Sequence, residues 1–157
     1  MAQIISDTLK HNEKTRTATS IIGEFGEREA IRFLRKNNFR IIAANFRVPV
    51  GRNRRGVLIT GEIDIVALEK NTVCFIEVKT RTSADFASPE SAVNLRKQRQ
   101  ITRTARVYRK TFNLQRTKFR YDVVSVILNE TKAPQIKLYR NFWQEDKFKK
   151  KFWADRL

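Results

Sequence analysis

The sequence predicts an α/β domain, a mixed β-sheet with helices on its faces, in the order helix, three strands, helix, strand. Helical periodicity sets in at Ser20, two apolar runs meet at a short polar pair, Lys70 and Asn71, and a long helical stretch precedes the strand "FRYDVVSVIL". A helix linking two strands in this way indicates a crossover connection and hence a mixed sheet. With 157 residues, 41% of them hydrophobic, the chain is long enough for one well-buried core and too short for two.

Residues 1–19 are polar and aperiodic and read as a flexible arm. From Ser20, Gly23, Glu27, Ala30 and Leu34 recur at helical spacing until Asn37 and Asn38 stop the pattern. This places Glu27 on the buried stripe. "FRIIAANFRVPV" is the first strand, with Pro49 and Gly51 expected to end it before the basic loop "GRNRRG", a flexible finger or a hairpin tip. The second strand ends at Lys70-Asn71, and Thr72 to Lys79 forms the third. Ser88 is the expected N-cap of the second helix, with Pro89 at its first position and Glu90 favourably set against the dipole. That helix should run to about Thr111 with a stripe of Val93, Lys97, Ile101, Ala105, Tyr108 and Phe112. Phe119 to Leu128 is the fourth strand, and "QIKLYR" a short edge strand. The domain is thus expected over residues 20–140, followed by a basic and aromatic tail, 141–157. In that tail, stacking on bases by Trp143, Phe148, Phe152 and Trp153 competes with the favoured roles of packing or dimerisation.

Charge narrows the function. Lys and Arg number 33 against 16 Asp and Glu, a formal charge of +17, which favours an anionic partner. Eight basic residues and no acid lie between Glu29 and Glu62, and ten between Glu90 and Asp122. Two acid-free runs thus flank an acidic cluster. No apolar run approaches the ~18 residues of a membrane span, so no membrane partner is expected and a cytoplasmic, nucleoid-associated location is. With one Cys74 and one His11, any metal must be held through oxygen.

Side chains alternate along a strand, so Val73, Phe75, Glu77 and Lys79 share one face. With a two-residue turn at Lys70-Asn71, or a four-residue loop of the same centre, Asp64 faces Glu77 and Glu62 faces Lys79, while Ile63, Ile65, Ile76 and Val78 pack the other face. Like charges placed opposite destabilise a sheet. A divalent cation between Asp64 and Glu77 relieves that, with the Val78 carbonyl as a further ligand and Glu27 contributing directly or through water. Lys79 then positions or deprotonates a water, or holds a phosphate oxygen. The plainer alternative is a surface pair of Glu62 with Lys79, leaving Asp64 and Glu77 solvated. A three-residue loop would shift the register by one and dissolve the pairing. Cys74 faces away from Glu77 and reads as a small core residue.

Asp64 with "EVK", Glu77-Val78-Lys79, resembles the motif of the PD-(D/E)XK nuclease superfamily. More closely, "GEFGEREAIRFL", "NFR", "GEIDIVA", "FIEVKTR", "SPESAV", Lys97 and "RYDVV" resemble, in order, the YraN family of predicted endonucleases over about residues 20–128. The resemblance implies a restriction-endonuclease-like fold with an αβββαβ core, related to archaeal Holliday-junction resolvases. It also implies Mg²⁺ or Mn²⁺ at Asp64 and Glu77, with Glu27 as the acid of the first helix and Lys79 as the catalytic lysine. The segment "VPVGRNRRGVLIT" is longer than the family pattern, and Ala87 stands where that pattern has Gly.

The resulting expectation is a Mg-dependent endonuclease on DNA, branched or structured. A non-catalytic nucleic-acid-binding module is the alternative, and an RNA- or ribosome-associated protein a third. DNA is expected ahead of RNA as partner, with a second copy of the chain a further candidate. Lys97, Arg52, Arg54, Arg55, Arg81, Arg96, Arg99 and Arg103 are the expected phosphate contacts.

Overall fold

The computed structural model describes residues 17–82 and 93–148. Helix α1 spans Ala18–Lys36. The Thr17 hydroxyl accepts the Ser20 N–H at 3.2 Å as N-cap, and Asn37 closes the helix with Asn38 left-handed at φ 65°. Five strands follow: β1 Arg40–Arg52, β2 Leu58–Glu69, β3 Thr72–Thr82, and, after helix α2 Leu95–Thr111, β4 Lys118–Leu128 and β5 Gln135–Trp143. The sheet order is β1-β2-β3-β4-β5, antiparallel except for the parallel β3–β4 pair that α2 connects. This is the mixed α/β sheet with flanking helices that the sequence predicts.

Each face has its own core. On the α2 side, Ile63, Val66, Phe75 and Tyr121 pack with Ile101, Ala105, Tyr108 and Trp143. On the α1 side, Ile65, Cys74, Ile76, Val124 and Val126 pack under Ala30 and Leu34. Full burial of such a side chain contributes about 1.5–3 kcal/mol. Cys74 is buried as expected, and burial pushes its thiol up to about 12, so it stays an uncharged packing group. Trp143 is core: it stacks on Tyr121 at 4.8 Å and donates its Nε1–H to Thr102 Oγ1 at 3.0 Å. Phe148 packs at the edge of that core, while Phe152 and Trp153 lie outside the described residues.

Several expectations are corrected. The buried residues of α1 are Gly26, Ala30 and Leu34; a Cβ on Gly23 would meet nothing within 4 Å. The uninterrupted four-residue repeat sets the stripe, and Glu27 sits half-buried beside it. Strand β1 runs through Pro49 and Gly51, because it is an edge strand and its pairing shifts by a residue there. The basic loop is therefore a hairpin tip. Helix α2 has its own N-cap at Asn94, whose side chain accepts the Lys97 N–H at 3.0 Å, so one helix from Ser88 to Thr111 is excluded. Ser88 to Glu90 themselves lie outside the described residues, as does Ala87. Phe112 is 52% exposed rather than core, since it caps α2 beyond the last turn that faces the sheet.

Close packing of α1 depends on Gly26. A Cβ there would stand 1.8 Å from Thr80 Oγ1 and 2.7 Å from Thr80 Cβ, and β-branched Thr80 has little rotamer freedom to yield. Gly26→Ala is expected to destabilise by about 1–3 kcal/mol, despite the ~1 kcal/mol it gains in helix propensity. Thr80→Gly in the same chain should recover part of the loss. Thermal unfolding of the two single variants and the double variant measures the coupling; additive effects would refute the contact.

Candidate active site

Two sheet strands separate where the acids lie. The β2–β3 ladder runs from Glu69↔Thr72 to Ile65↔Ile76, the register expected from the two-residue turn, in which Lys70 takes a left-handed φ of 53°. The ladder stops one position short of Asp64 and Glu77. There the ladder gives way to a side chain: Asp64 Oδ2 accepts the Val78 N–H at 2.7 Å. That bond fixes the Asp64 carboxylate beside β3.

Glu77 shares the face of Val73 and Phe75, and therefore points to the α2 side. It is 3% exposed. Lys97, in the first turn of α2, brings Nζ to 3.4 Å from Glu77 Oε1, while Glu77 Oε2 is buried and has no hydrogen-bond partner among the described residues. Burial, and then the charge of Asp64, raise the Glu77 carboxyl to about 8; the Lys97 and Lys79 ammonium groups oppose the rise. Arg96 and Lys97 stand at the N-terminal end of a helix with no acid in its first turn. Side-chain charge and helix dipole there add to one positive field.

Glu27 reaches the site from α1. It borders a cleft of about 740 Å³ together with Glu24, Arg28, Asn45, Arg47, Glu62 and Asp64. Burial raises its pKa first, the Asp64 charge next, and a hydrogen bond from Asn45 opposes both. Asn45 sits in β1 opposite Asp64 with φ 51°. This kink explains why alternation fails along β2: Ile63 packs with the α2-side core while Ile65 packs with the α1-side core, so the expected grouping of Ile63 with Ile65, Ile76 and Val78 does not hold. Asn45 is the site residue that periodicity could not find. Its one signal was that Asn tolerates a left-handed backbone.

The plainer surface alternative also changes. Glu62 does not face Lys79; Arg47, across the β1–β2 pair, donates Nε–H to Glu62 Oε1 at 3.0 Å. The β2–β3 ladder has already ended, so the strands no longer hold Glu62 and Lys79 opposite each other. Of the expected phosphate contacts, Lys97 is drawn into the site and Arg81 ends β3 half-buried. Arg96, Arg99 and Arg103 are exposed on α2, and Arg52, Arg54 and Arg55 lie around the hairpin tip.

The donors suit a hard divalent cation: adjacent carboxylates, one with a buried oxygen unsatisfied among the described residues, and no soft ligand beside them there. Among the described residues no three acidic, histidine or cysteine side chains are arranged to hold one ion. No helix among them is long and apolar enough to cross a membrane.

Comparison with known proteins agrees with the motif order. The Uncharacterised protein family UPF0102 matches residues 26–126. A UPF0102 protein of Acetivibrio thermocellus is 39% identical over 76% of this chain and 88% of its own length. One from Caldanaerobacter subterraneus subsp. tengcongensis is 37% identical over 78% and 88%, and one from Clostridium botulinum 40% identical over 78% and 94%. A solved structure titled "Crystal structure of SSO0001" aligns with a TM-score of 0.39 and 17% identity, over 83% of this chain and 56% of that one. The family match spans both strands that carry Asp64 and Glu77 and the helix that carries Lys97, and the chain belongs to the UPF0102 family, which is the YraN family.

Proposed function

We propose that the protein is a metal-dependent endonuclease that hydrolyses phosphodiester bonds in branched or structured DNA. The observation that carries this reading is the buried Asp64–Glu77 pair, with Glu77 Oε2 unpartnered among the described residues, inside a chain of formal charge +17. Asp64, Glu77 and the Val78 carbonyl would hold Mg²⁺ or Mn²⁺, and Glu27 would act through water. The chemistry a bound divalent cation supplies is positive charge against the scissile phosphate and acidification of water.

The chain's own residues do the rest. Asp64 is held in place by the Val78 N–H. Lys79, two residues beyond Glu77 on the same face of β3, holds a phosphate oxygen or orients the attacking water. Lys97, whose Nζ lies 3.4 Å from Glu77 Oε1, would meet phosphate as substrate enters. Exposed arginines of α2 and the β1–β2 tip hold the backbone, giving salt-sensitive and largely sequence-independent binding.

Nicking of a four-way junction in Mg²⁺ or Mn²⁺, and its loss in chelator, tests the reading. Asp64→Asn keeps an acceptor for Val78, so its fold should survive; it and Lys79→Ala are each expected to lower the rate by about 10²-fold or more. Unchanged rates in both would reject the assignment. A second reading, a nucleic-acid-binding module without turnover, is favoured by the lack of a three-acid ion cage among the described residues. It predicts binding indifferent to chelator and no cleavage of any junction, duplex or structured RNA.

A further inference from the structure

We infer that the β1–β2 hairpin tip is a wedge that enters branched DNA and unstacks a base pair at the junction. The inference rests on the nucleic-acid reading above and adds a second contact to it. The tip is built to be stiff. Asn53 Oδ1 accepts the N–H groups of Arg55 at 2.9 Å and Val57 at 3.0 Å; Asn53 N–H donates to the Val57 carbonyl and Gly56 N–H to the Asn53 carbonyl, both at 2.9 Å. Gly56 supplies the left-handed φ of 76° that closes the turn. Arg52 Nη1 donates to the Gly56 carbonyl at 2.7 Å, so this arginine braces the tip.

What the rigid turn presents is chemically mixed. Val57 is 58% exposed and Leu58 50% exposed, with Arg54 and Arg55 exposed beside them. Val57 and Leu58 thus form an apolar edge at the end of a stiff projection, and covering it would favour a partner with apolar surface of its own. The flanking charge selects that partner: no acid occurs between Glu29 and Glu62. A polyanion with an apolar interior reachable at a branch fits both features, arginines to phosphates and an apolar edge between bases. Spacing fits as well. Leu58 to Asp64 along β2 covers about 20 Å, or about six base pairs of duplex. A branch point on the tip thus leaves one arm long enough to reach the Asp64–Glu77 pair.

The hairpin is also anchored against recoil. Gly61 lets α2 press on its base: a Cβ there would stand 2.0 Å from Thr104 Oγ1, and Gln100 Nε2 donates to the Thr60 carbonyl at 3.2 Å.

The test uses the full chain in chelator, so it is independent of cleavage. A four-way junction and a linear duplex carry 2-aminopurine, in the junction at the branch point. The unaltered protein should raise the junction's fluorescence several-fold and leave the duplex's unchanged. Val57→Ser with Leu58→Ser should abolish the rise while affinity for the linear duplex stays within about 3-fold. Arg54→Gln with Arg55→Gln should weaken binding and lower the slope of log K against log salt by about 2. Unstacking that survives the serine pair, or a salt slope untouched by the glutamine pair, would overturn the wedge. So would a loss of self-association in these variants with DNA binding intact, since the tip would then be a contact between protein copies. Failure of cleavage in the junction assay with unstacking intact would sink the hydrolase reading and leave the wedge standing.

Discussion

Replacing Glu77 by Gln is expected to make the metal-free protein more stable at pH 9 than the unaltered chain and to flatten its stability between pH 5 and 9. The sign follows from which state holds the proton. In the folded protein, burial and the Asp64 charge raise the Glu77 carboxyl to about 8, against an ordinary value of 4.5. Between those two values the folded state binds more protons than the unfolded, so stability falls as pH rises through that window. Each unit of the upward shift opposes folding by about 1.4 kcal/mol once Glu77 ionises. Gln does not ionise, and Lys97, with its side chain 32% exposed, can solvate when its partner is gone.

Divalent cation should act in the opposite direction. Bound to the ionised pair, it adds about 2.7 kcal/mol at a hundredfold excess over its Kd, and the gain should be largest near pH 9. Glu77→Gln should lose most of that response. Chemical denaturation at pH 5, 7 and 9, with chelator or with Mg²⁺, reads all of this. A pH profile for the unaltered chain that parallels the Gln variant would mean that the two carboxylates do not oppose each other.

Asp122→Ala is expected to cost about 3–5 kcal/mol, as breaking one half of a buried ion pair does. Asp122 is fully buried. Both of its oxygens accept from Arg120 Nε at 2.9 Å, and Oδ1 also accepts the Asn141 N–H at 2.8 Å. Asn141 carries φ 55° where the β4–β5 register shifts, so that carboxylate holds an irregularity in the edge strand. Arg120 reaches on to Glu69 at 2.6 Å, and Arg140 joins Glu69 at 2.8 Å, tying β2, β4 and β5 together. Alanine leaves Arg120 with one acid and the Asn141 N–H with none. Asp122→Asn, which retains an acceptor, should cost less. Urea denaturation separates the two; a loss under 1 kcal/mol for alanine would show the network to be ornamental.

The lattice of elements was legible because it rests on local period. Alternation in β3 put Glu77 with Lys79, and the polar pair at Lys70-Asn71 set the turn whose register runs up to Ile65 and Ile76. Charge counting adds two acid-free runs that flank the pair along the chain. Where the reading failed, a non-local contact had overruled a local preference. Pro49 and Gly51 were read as strand breakers, but an edge strand needs hydrogen bonds on one side only and absorbs both at a bulge. The buried stripe of α1 passes through Gly26 rather than Gly23, because Thr80 of the sheet needs a glycine above it.

From its sequence alone, then, this chain set the order of its elements, the alternating faces of β3 and the turn at Lys70-Asn71. All of these follow from side-chain period and charge, which belong to neighbours in the chain. Only the tertiary structure decided that Asp64 is pinned by the Val78 N–H, that Lys97 arrives on Glu77, that Asn45 kinks β1 beside Glu27, and that Arg47 removes Glu62. Those contacts join residues on different elements, and their energies depend on desolvation and distances that no window of sequence contains.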